Sequence, residues 1–254
     1  MFWERVEPIL TMHLKAAVDR AYKVFAKYRL TGTIIHCDCP CCMGSDVARR
    51  MSTLPLVEIG PDLLAEYTNS AHGYDRESIE PEFKHFLPRY FDLIAHCRPP
   101  SHLGAEHCLV RLAGYRENWP RDEVDTVDAF FEAFVEACLQ QGRLLKWPVG
   151  YRLEFDLGEV LAMIVLAGGD LDRTLAVIDE SNAPLTAVHL ASLRLELVTK
   201  DMEVYYDNAF LEEHADAAQK IGEWLQRDRV TERIMTAPGL LGSCDYDDIL
   251  NLAV

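Results

Sequence analysis

Four of the eight cysteines lie in one short segment, between Cys37 and Cys42. Three of them, Cys37, Cys39 and Cys42, form a C-x-C-x-x-C pattern, and Pro40 stiffens the segment. Thiolates bind zinc in tetrahedral geometry, and a tight loop can bring three sulfurs to one ion. In a reducing compartment such a cluster favours metal over disulfides. We therefore expect a zinc site, and a structural one, because cysteine-rich sites usually close around the metal.

A fourth ligand must come from outside these three cysteines. The candidate is His72, one short helix and a loop further along the chain, and the alternative is His36, which is adjacent in sequence. His72 is equally typical of a residue near a helix C-terminus, where the helix dipole favours histidine. The cysteine spacing is also compatible with a reduced cluster without metal, or with a redox or iron–sulfur role.

Polar side chains are dense after the cysteines, and Tyr67, Asn69, Ser70 and Asp75 are candidates for contacting a ligand. Such a stretch can form a recognition or catalytic surface beside a metal. It can also be a network of caps and turns, because Asn, Ser and Asp side chains bond nearby backbone, and we favour this interpretation. No catalytic residue is assigned, since the sequence has no phosphate-binding loop, nucleophile elbow or zinc-protease motif.

Helical periodicity recurs nearly everywhere, which predicts an all-α fold, an irregular multi-helix assembly in two packed layers. Pro88 is expected to kink or split one helix. Asp156 and Glu159 resemble a capping box. Acidic residues of the helix after Pro120 (Glu123, Asp125, Asp128, Glu132, Glu136) are interpreted as a solvated face. Helices are predicted over about 8–28, 45–51, 61–69, 80–97, 101–113, 120–138, 157–167, 171–179, 184–198, 209–226 and 229–236, and 33–35 and 204–206 are strand-like.

We expect the chain of 254 residues to form a single helical domain, with possible sub-layers over 1–147 and 148–254. Its net charge is −16, from 41 acidic and 25 basic residues. This charge disfavours nucleic-acid and membrane binding and suits a basic protein partner, although acidity for solubility is an equal explanation. The first residues lack the pattern of a signal peptide, so we expect a cytoplasmic protein. The cysteines outside the cluster are interpreted as small buried apolar residues.

Several motifs together resemble a family of uncharacterised bacterial cytosolic proteins. They are the C-x-C-P-x-C-M loop from Cys37 to Met43, the L-L-A-E-Y-T-N-S-A-H-G stretch from Leu63 to Gly73, and F-L-P-R-Y from Phe86 to Tyr90. The resemblance implies a bacterial, cytosolic protein. It also implies that the cysteine loop and the polar stretch form one unit. It assigns no activity.

The leading functional hypothesis is an immunity protein, which neutralises a toxin domain by direct binding. Strong acidity and the lack of a catalytic motif favour it, because opposite charge accelerates encounter with a basic toxin domain. The alternative is a metal-dependent enzyme with its site around Tyr67–Asp75. A third possibility is a scaffold for helix-mediated assembly. The sequence does not determine the oligomeric state.

Overall fold

The computed structural model describes residues 3, 6–30, 32–37, 39–40, 42–71, 76–146, 150–237 and 244–253. The fold is mostly helical, as predicted. Two antiparallel hairpins pair β1 (Leu144–Lys146) with β2 (Tyr151–Leu153) and β3 (Leu197–Lys200) with β4 (Glu203–Tyr206). The helices are α1 (Met12–Val24), α2 (Ser45–Thr53), α3 (Pro61–Asn69), α4 (Arg76–Ala95), α5 (Tyr115–Asn118), α6 (Arg121–Cys138), α7 (Leu157–Leu166), α8 (Leu171–Glu180), α9 (Thr186–Arg194), α10 (Ala215–Leu225), α11 (Asp228–Thr236) and α12 (Cys244–Leu252).

Several helices begin where a short polar side chain can accept a hydrogen bond from a backbone N–H of the first helical turn. Thr11 accepts from the Leu14 N–H (3.1 Å), and Asp170 accepts from the Arg173 N–H (3.1 Å). Asp156 accepts from the Gly158 N–H (2.7 Å), which confirms Asp156 as the cap of α7. Such caps satisfy amide donors that have no partner inside the helix.

Two helix predictions need correction between residues 76 and 113. The helix α4 runs through Pro88 without a break, so the proline does not split it. The predicted helix over 101–113 is wrong, because this segment forms two 3₁₀ turns, Ala105–His107 and Val110–Leu112. Gly104 has a φ of +118°, a conformation outside the helical region, and this prevents a continuous helix there.

The interpretation of the acidic residues on α6 as a solvated face is wrong for Glu123, which is fully buried. Its carboxylate accepts a hydrogen bond from the Tyr28 hydroxyl (2.6 Å) and forms ion pairs with Lys27 (2.7 Å) and Lys84 (2.9 Å). Burial alone would raise the pKa of Glu123, but these three donors lower it below the usual value. Through these contacts Glu123 links α6 to α4 and to the segment directly after α1.

Asp128, on the same helix, is also buried. It accepts a short hydrogen bond from the Tyr115 hydroxyl and pairs with Arg116 (2.7 Å), which also contacts Asp170 at the start of α8. A helix can bury a carboxylate when partners on neighbouring elements satisfy it.

The buried apolar residues form one cluster that reaches from Trp3 to Leu250. The Phe91 ring of α4 stacks on the Phe130 ring of α6 with centroids 3.9 Å apart. Cys97, Cys108 and Cys138 are buried, as predicted for small apolar residues, and the side chain of Cys244 lies outside the described part. Within the described ranges, no helix has the length and apolarity needed to cross a bilayer.

The second hairpin packs on α10. A side chain at Gly222 would approach the Val204 carbonyl oxygen to 2.5 Å, so glycine allows the close contact of helix and strand. The hairpin turn consists of Asp201 and Met202, with φ of +52° and +72°. Two positive φ angles suit a tight turn between twisted strands. The turn holds the Met202 side chain 96% exposed.

Candidate metal centre

The sulfur atoms of Cys37, Cys39 and Cys42 all lie within 4.8 Å of one another, close enough to hold one metal ion. The Cys39 and Cys42 sulfurs are 3.1 Å apart. The backbone N–H of Cys39 donates to Cys37 Sγ at 3.3 Å, and the Cys42 N–H donates to the Cys39 carbonyl oxygen at 3.2 Å. Amide donors directed at sulfur stabilise the thiolate form, which is the form that binds metal.

Hydrogen bonds fasten the cysteine loop to the end of α3. The Cys37 N–H donates to the Ala71 carbonyl oxygen (2.9 Å), and the Ala71 N–H donates to Cys42 Sγ (3.2 Å). The Met43 N–H donates to Ser70 Oγ (2.7 Å), which in turn donates to the Glu66 carbonyl oxygen. The loop and the turn after α3 therefore form one structural unit.

Arg111 satisfies the carbonyl groups at the end of α3. Its guanidinium donates to the carbonyl oxygens of Tyr67 (3.2 Å), Thr68 (3.2 Å) and Ser70 (2.9 Å). It also lies over the Tyr67 ring, 5.1 Å from the centroid. A cation at this position complements the negative end of the helix dipole.

A buried carboxyl group connects the loop to α4. Glu82 accepts a hydrogen bond from the Ile35 N–H (3.0 Å), and the Tyr67 side chain lies nearby. Burial raises the pKa of Glu82 above its usual value, although the hydrogen bond from Ile35 opposes the shift. Burial also raises the pKa of Tyr67, and the nearby Glu82 adds to the effect. Tyr67 is therefore held as a neutral phenol inside the fold.

The predicted ligand-contacting residues divide between buried and undescribed positions. Tyr67 and Ser70 are buried, and the amide atoms of Asn69 are shielded from solvent without a hydrogen-bond partner among the described residues. The predicted residues His72 and Asp75 lie outside the described residues. The Ser70 hydroxyl is used within the fold and the Tyr67 side chain is fully buried, which fits the cap-and-turn interpretation of this stretch.

His36 precedes the loop, and its Nδ1 lies 3.2 Å from the Cys37 carbonyl oxygen. Among the residues with described positions, its ring is not within reach of all three sulfurs. His72 follows directly after Ala71, whose N–H reaches Cys42 Sγ.

Sequence reasoning missed Arg111 and Glu82. Arg111 lies in a segment for which the sequence predicts a helix that does not form. Glu82 lies among charged residues near the start of α4. The only signal for Glu82 was its position one helical turn before the apolar Phe86, a position that places it on the buried side of α4.

The comparisons with known proteins identify no relative. No protein-family model matches the chain, and neither does any curated protein or solved structure.

Proposed function

We propose that this is an acidic binding protein, stabilised by a structural zinc ion, that neutralises a basic partner such as a toxin domain by direct contact. The observation that best supports this proposal is a surface in the C-terminal part of the chain, which we call the acidic surface. It consists of the exposed residues Asp201, Glu203, Asp207, Glu212, Glu213 and Asp216.

The acidic surface lacks compensating cations. No Lys or Arg occurs between residues 201 and 219. Within the part of the chain that the structure describes, none of the six carboxylates forms an ion pair with a basic residue. An uncompensated field of one sign steers a partner of opposite charge and raises its association rate.

The surface also carries an exposed apolar residue, Met202, at the hairpin turn between Asp201 and Glu203. Methionine is enriched in protein interfaces, where its flexible side chain fills irregular pockets. The packing of the hairpin on α10 at Gly222 fixes the backbone of the strand that follows Met202. A preformed surface reduces the entropy lost on binding.

We assign zinc to Cys37, Cys39 and Cys42, with His72 as the fourth ligand. Three thiolates and an imidazole form a closed tetrahedral set, which suits a structural site. The Ser70 hydroxyl is used within the fold and the Tyr67 side chain is fully buried, so we prefer this role to a metal-dependent enzyme around Tyr67–Asp75. Elemental mass spectrometry of the purified protein tests it: about one zinc per chain is expected, and a melting temperature unaffected by a strong chelator would contradict it.

Binding is tested by co-expressing the chain with basic toxin domains, chosen first from any gene that neighbours its own, followed by co-purification and a growth-protection assay. The triple variant E203Q/E212Q/E213Q should slow association at least about tenfold and reduce its dependence on salt. The matched control is D19N/E58Q/E117Q, which removes three exposed carboxylates elsewhere. The proposal fails if no complex forms and no cell is protected, or if both variants behave alike.

A further inference from the structure

A cavity of about 590 Å³ opens between residues 97–106, the first turn of α3 and the start of α7. It is distinct from the cysteine loop and from the acidic surface. Arg98, His102 and Leu103 are exposed at its mouth, and Trp3, Glu106 and Glu159 line it further in. This volume is within the range of natural small-molecule sites.

Glu106 and Ser101 are the buried polar residues on the cavity wall, and Glu106 has only 6% of its surface exposed. Its carboxylate accepts a hydrogen bond from its own backbone N–H, and no other described residue donates to it. A side chain at position 104 would collide with this carboxylate, so Gly104 leaves the space that the Glu106 side chain occupies. A carboxylate that is buried with so little compensation favours a cationic occupant.

Glu159 of α7 is another carboxyl group on the cavity wall, which also includes the exposed Asp62. The Trp3 side chain lies on the same wall. Burial, followed by repulsion from Glu106, raises the pKa of Glu159 to about 8. With this raised pKa, Glu159 holds a proton at neutral pH while the cavity is empty, and a positive charge between the two carboxyl groups would displace that proton and stabilise both in the ionised form.

The rest of the lining combines apolar and aromatic residues with four polar ones, Asp62, Arg98, Ser101 and His102. Trp3 is 3% exposed, and Phe210 lines the cavity from the 3₁₀ turn Ala209–Leu211. Aromatic faces attract organic cations through their quadrupole and pack against apolar groups. Within the described ranges, Glu106 and Glu159 do not join a third ligand in a metal-sized cluster. An organic cation fits this lining better than a bare metal ion.

We propose that the cavity binds a small organic ammonium ion, with its charged nitrogen between Glu106 and Glu159 and its apolar body against Trp3 and Phe210. The ligand class is therefore a primary amine with an alkyl or aryl group. Arg98 at the mouth places a positive charge where an anionic substituent of the same ligand would emerge.

Isothermal titration calorimetry on the metal-loaded protein tests the proposal with phenethylamine, butylamine, cadaverine and tyramine as probes. At least one amine should bind with a dissociation constant at or below about 1 mM. 2-Phenylethanol, the neutral analogue of phenethylamine, should bind at least about tenfold more weakly than phenethylamine. Equal affinities for this pair, or no binding by any amine, would overturn the proposal. This comparison uses the unaltered protein and needs no variant.

The variant E106Q keeps the shape of the side chain and removes its charge. It should weaken amine binding at least about tenfold and leave binding of the alcohol unchanged. The control D172N removes a carboxylate that is 76% exposed and remote from the cavity, and it should bind like the unaltered protein. Amine binding that survives in E106Q with unchanged affinity would contradict the assignment of Glu106.

Discussion

The backbone N–H of Ala71 donates a hydrogen bond to Cys42 Sγ over 3.2 Å, and this contact joins the turn after α3 to the cysteine loop. Because Ala71 also accepts from the Cys37 N–H, the turn contacts both ends of the cysteine pattern. A substitution of these cysteines, or the loss of a bound metal, is therefore expected to perturb the end of α3 through these backbone hydrogen bonds. The first two predictions follow from this connection.

Replacing Cys42 with serine should remove the metal and destabilise the fold. A serine oxygen is a poor zinc ligand compared with a thiolate, and the Ala71 N–H loses its sulfur acceptor. We expect a loss of about 2 kcal/mol or more, which corresponds to roughly 4–8 °C in melting temperature for a chain of this size. Metal analysis and thermal unfolding measure both effects. The neighbouring C41S variant is the control, and full metal content in C42S would contradict the assignment.

The identity of the fourth ligand is tested by H72A and H36A in cobalt-substituted protein. Tetrahedral cobalt with thiolate ligands has strong visible absorption, which weakens when a ligand is lost to water. We expect H72A to reduce this absorption and to weaken metal binding about 10–100-fold, and H36A to leave both unchanged. The reverse result would assign His36 as the ligand.

E123Q should be one of the most destabilising single changes on α6. It leaves the Lys84 ammonium, which is 5% exposed, without its buried carboxylate partner. Removing one member of a buried pair costs about 3–5 kcal/mol, and the remaining contact of Lys84 with Glu80 favours the lower end. Urea unfolding measures the loss. D125N on the same helix, where the pair with Arg121 is exposed, should change stability by less than about 1 kcal/mol.

The loss of stability caused by E123Q should become smaller as the pH falls. The pKa of Glu123 is lowered in the folded state, so its contribution is present above the unfolded pKa of about 4.3 and is lost as pH falls through the folded value. Stability curves of the variant and the unaltered protein should therefore converge in acid. A deficit of constant size down to pH 2 would contradict the assignment.

Glu159 should have the opposite pH dependence. Its pKa is raised to about 8, so the folded state holds the proton more tightly than the unfolded chain, where the pKa is about 4.3. Its stabilising effect is complete below pH 4 and is lost as pH rises through about 8. E159Q has no proton to lose, and it should be more stable than the unaltered protein at pH 9. Unfolding from pH 5 to 9 measures this, with D172N as the control.

Helices with strong local signals could be predicted from the sequence. Pro61 and Asp62 indicated the start of α3, and Pro120 with the apolar stripe indicated α6. These signals are local, since a cap and a periodic stripe lie within a few turns of one another. The cysteine cluster could also be predicted, because its three sulfurs come from one loop.

Features that join distant segments could not be predicted. Glu123 looked like a surface residue because its partner Lys84 belongs to α4, and no local pattern connects the two. Glu106 and Glu159 share a cavity only because the 3₁₀ turn Ala105–His107 packs on α7. The helix predicted over 101–113 also gives Glu106 the wrong backbone conformation, so the position of this residue in the cavity could not be inferred.

Trp3 contacts the Phe134 and Phe155 rings, with centroids 5.9 and 5.0 Å away, and it lines the cavity beside Glu159. All three partners are synthesised long after Trp3 itself. While the chain is still on the ribosome, this indole lacks both aromatic partners until α6 and the segment before α7 have emerged. Because Phe210 also lines the cavity, its wall is completed only after more than four-fifths of the chain has been made.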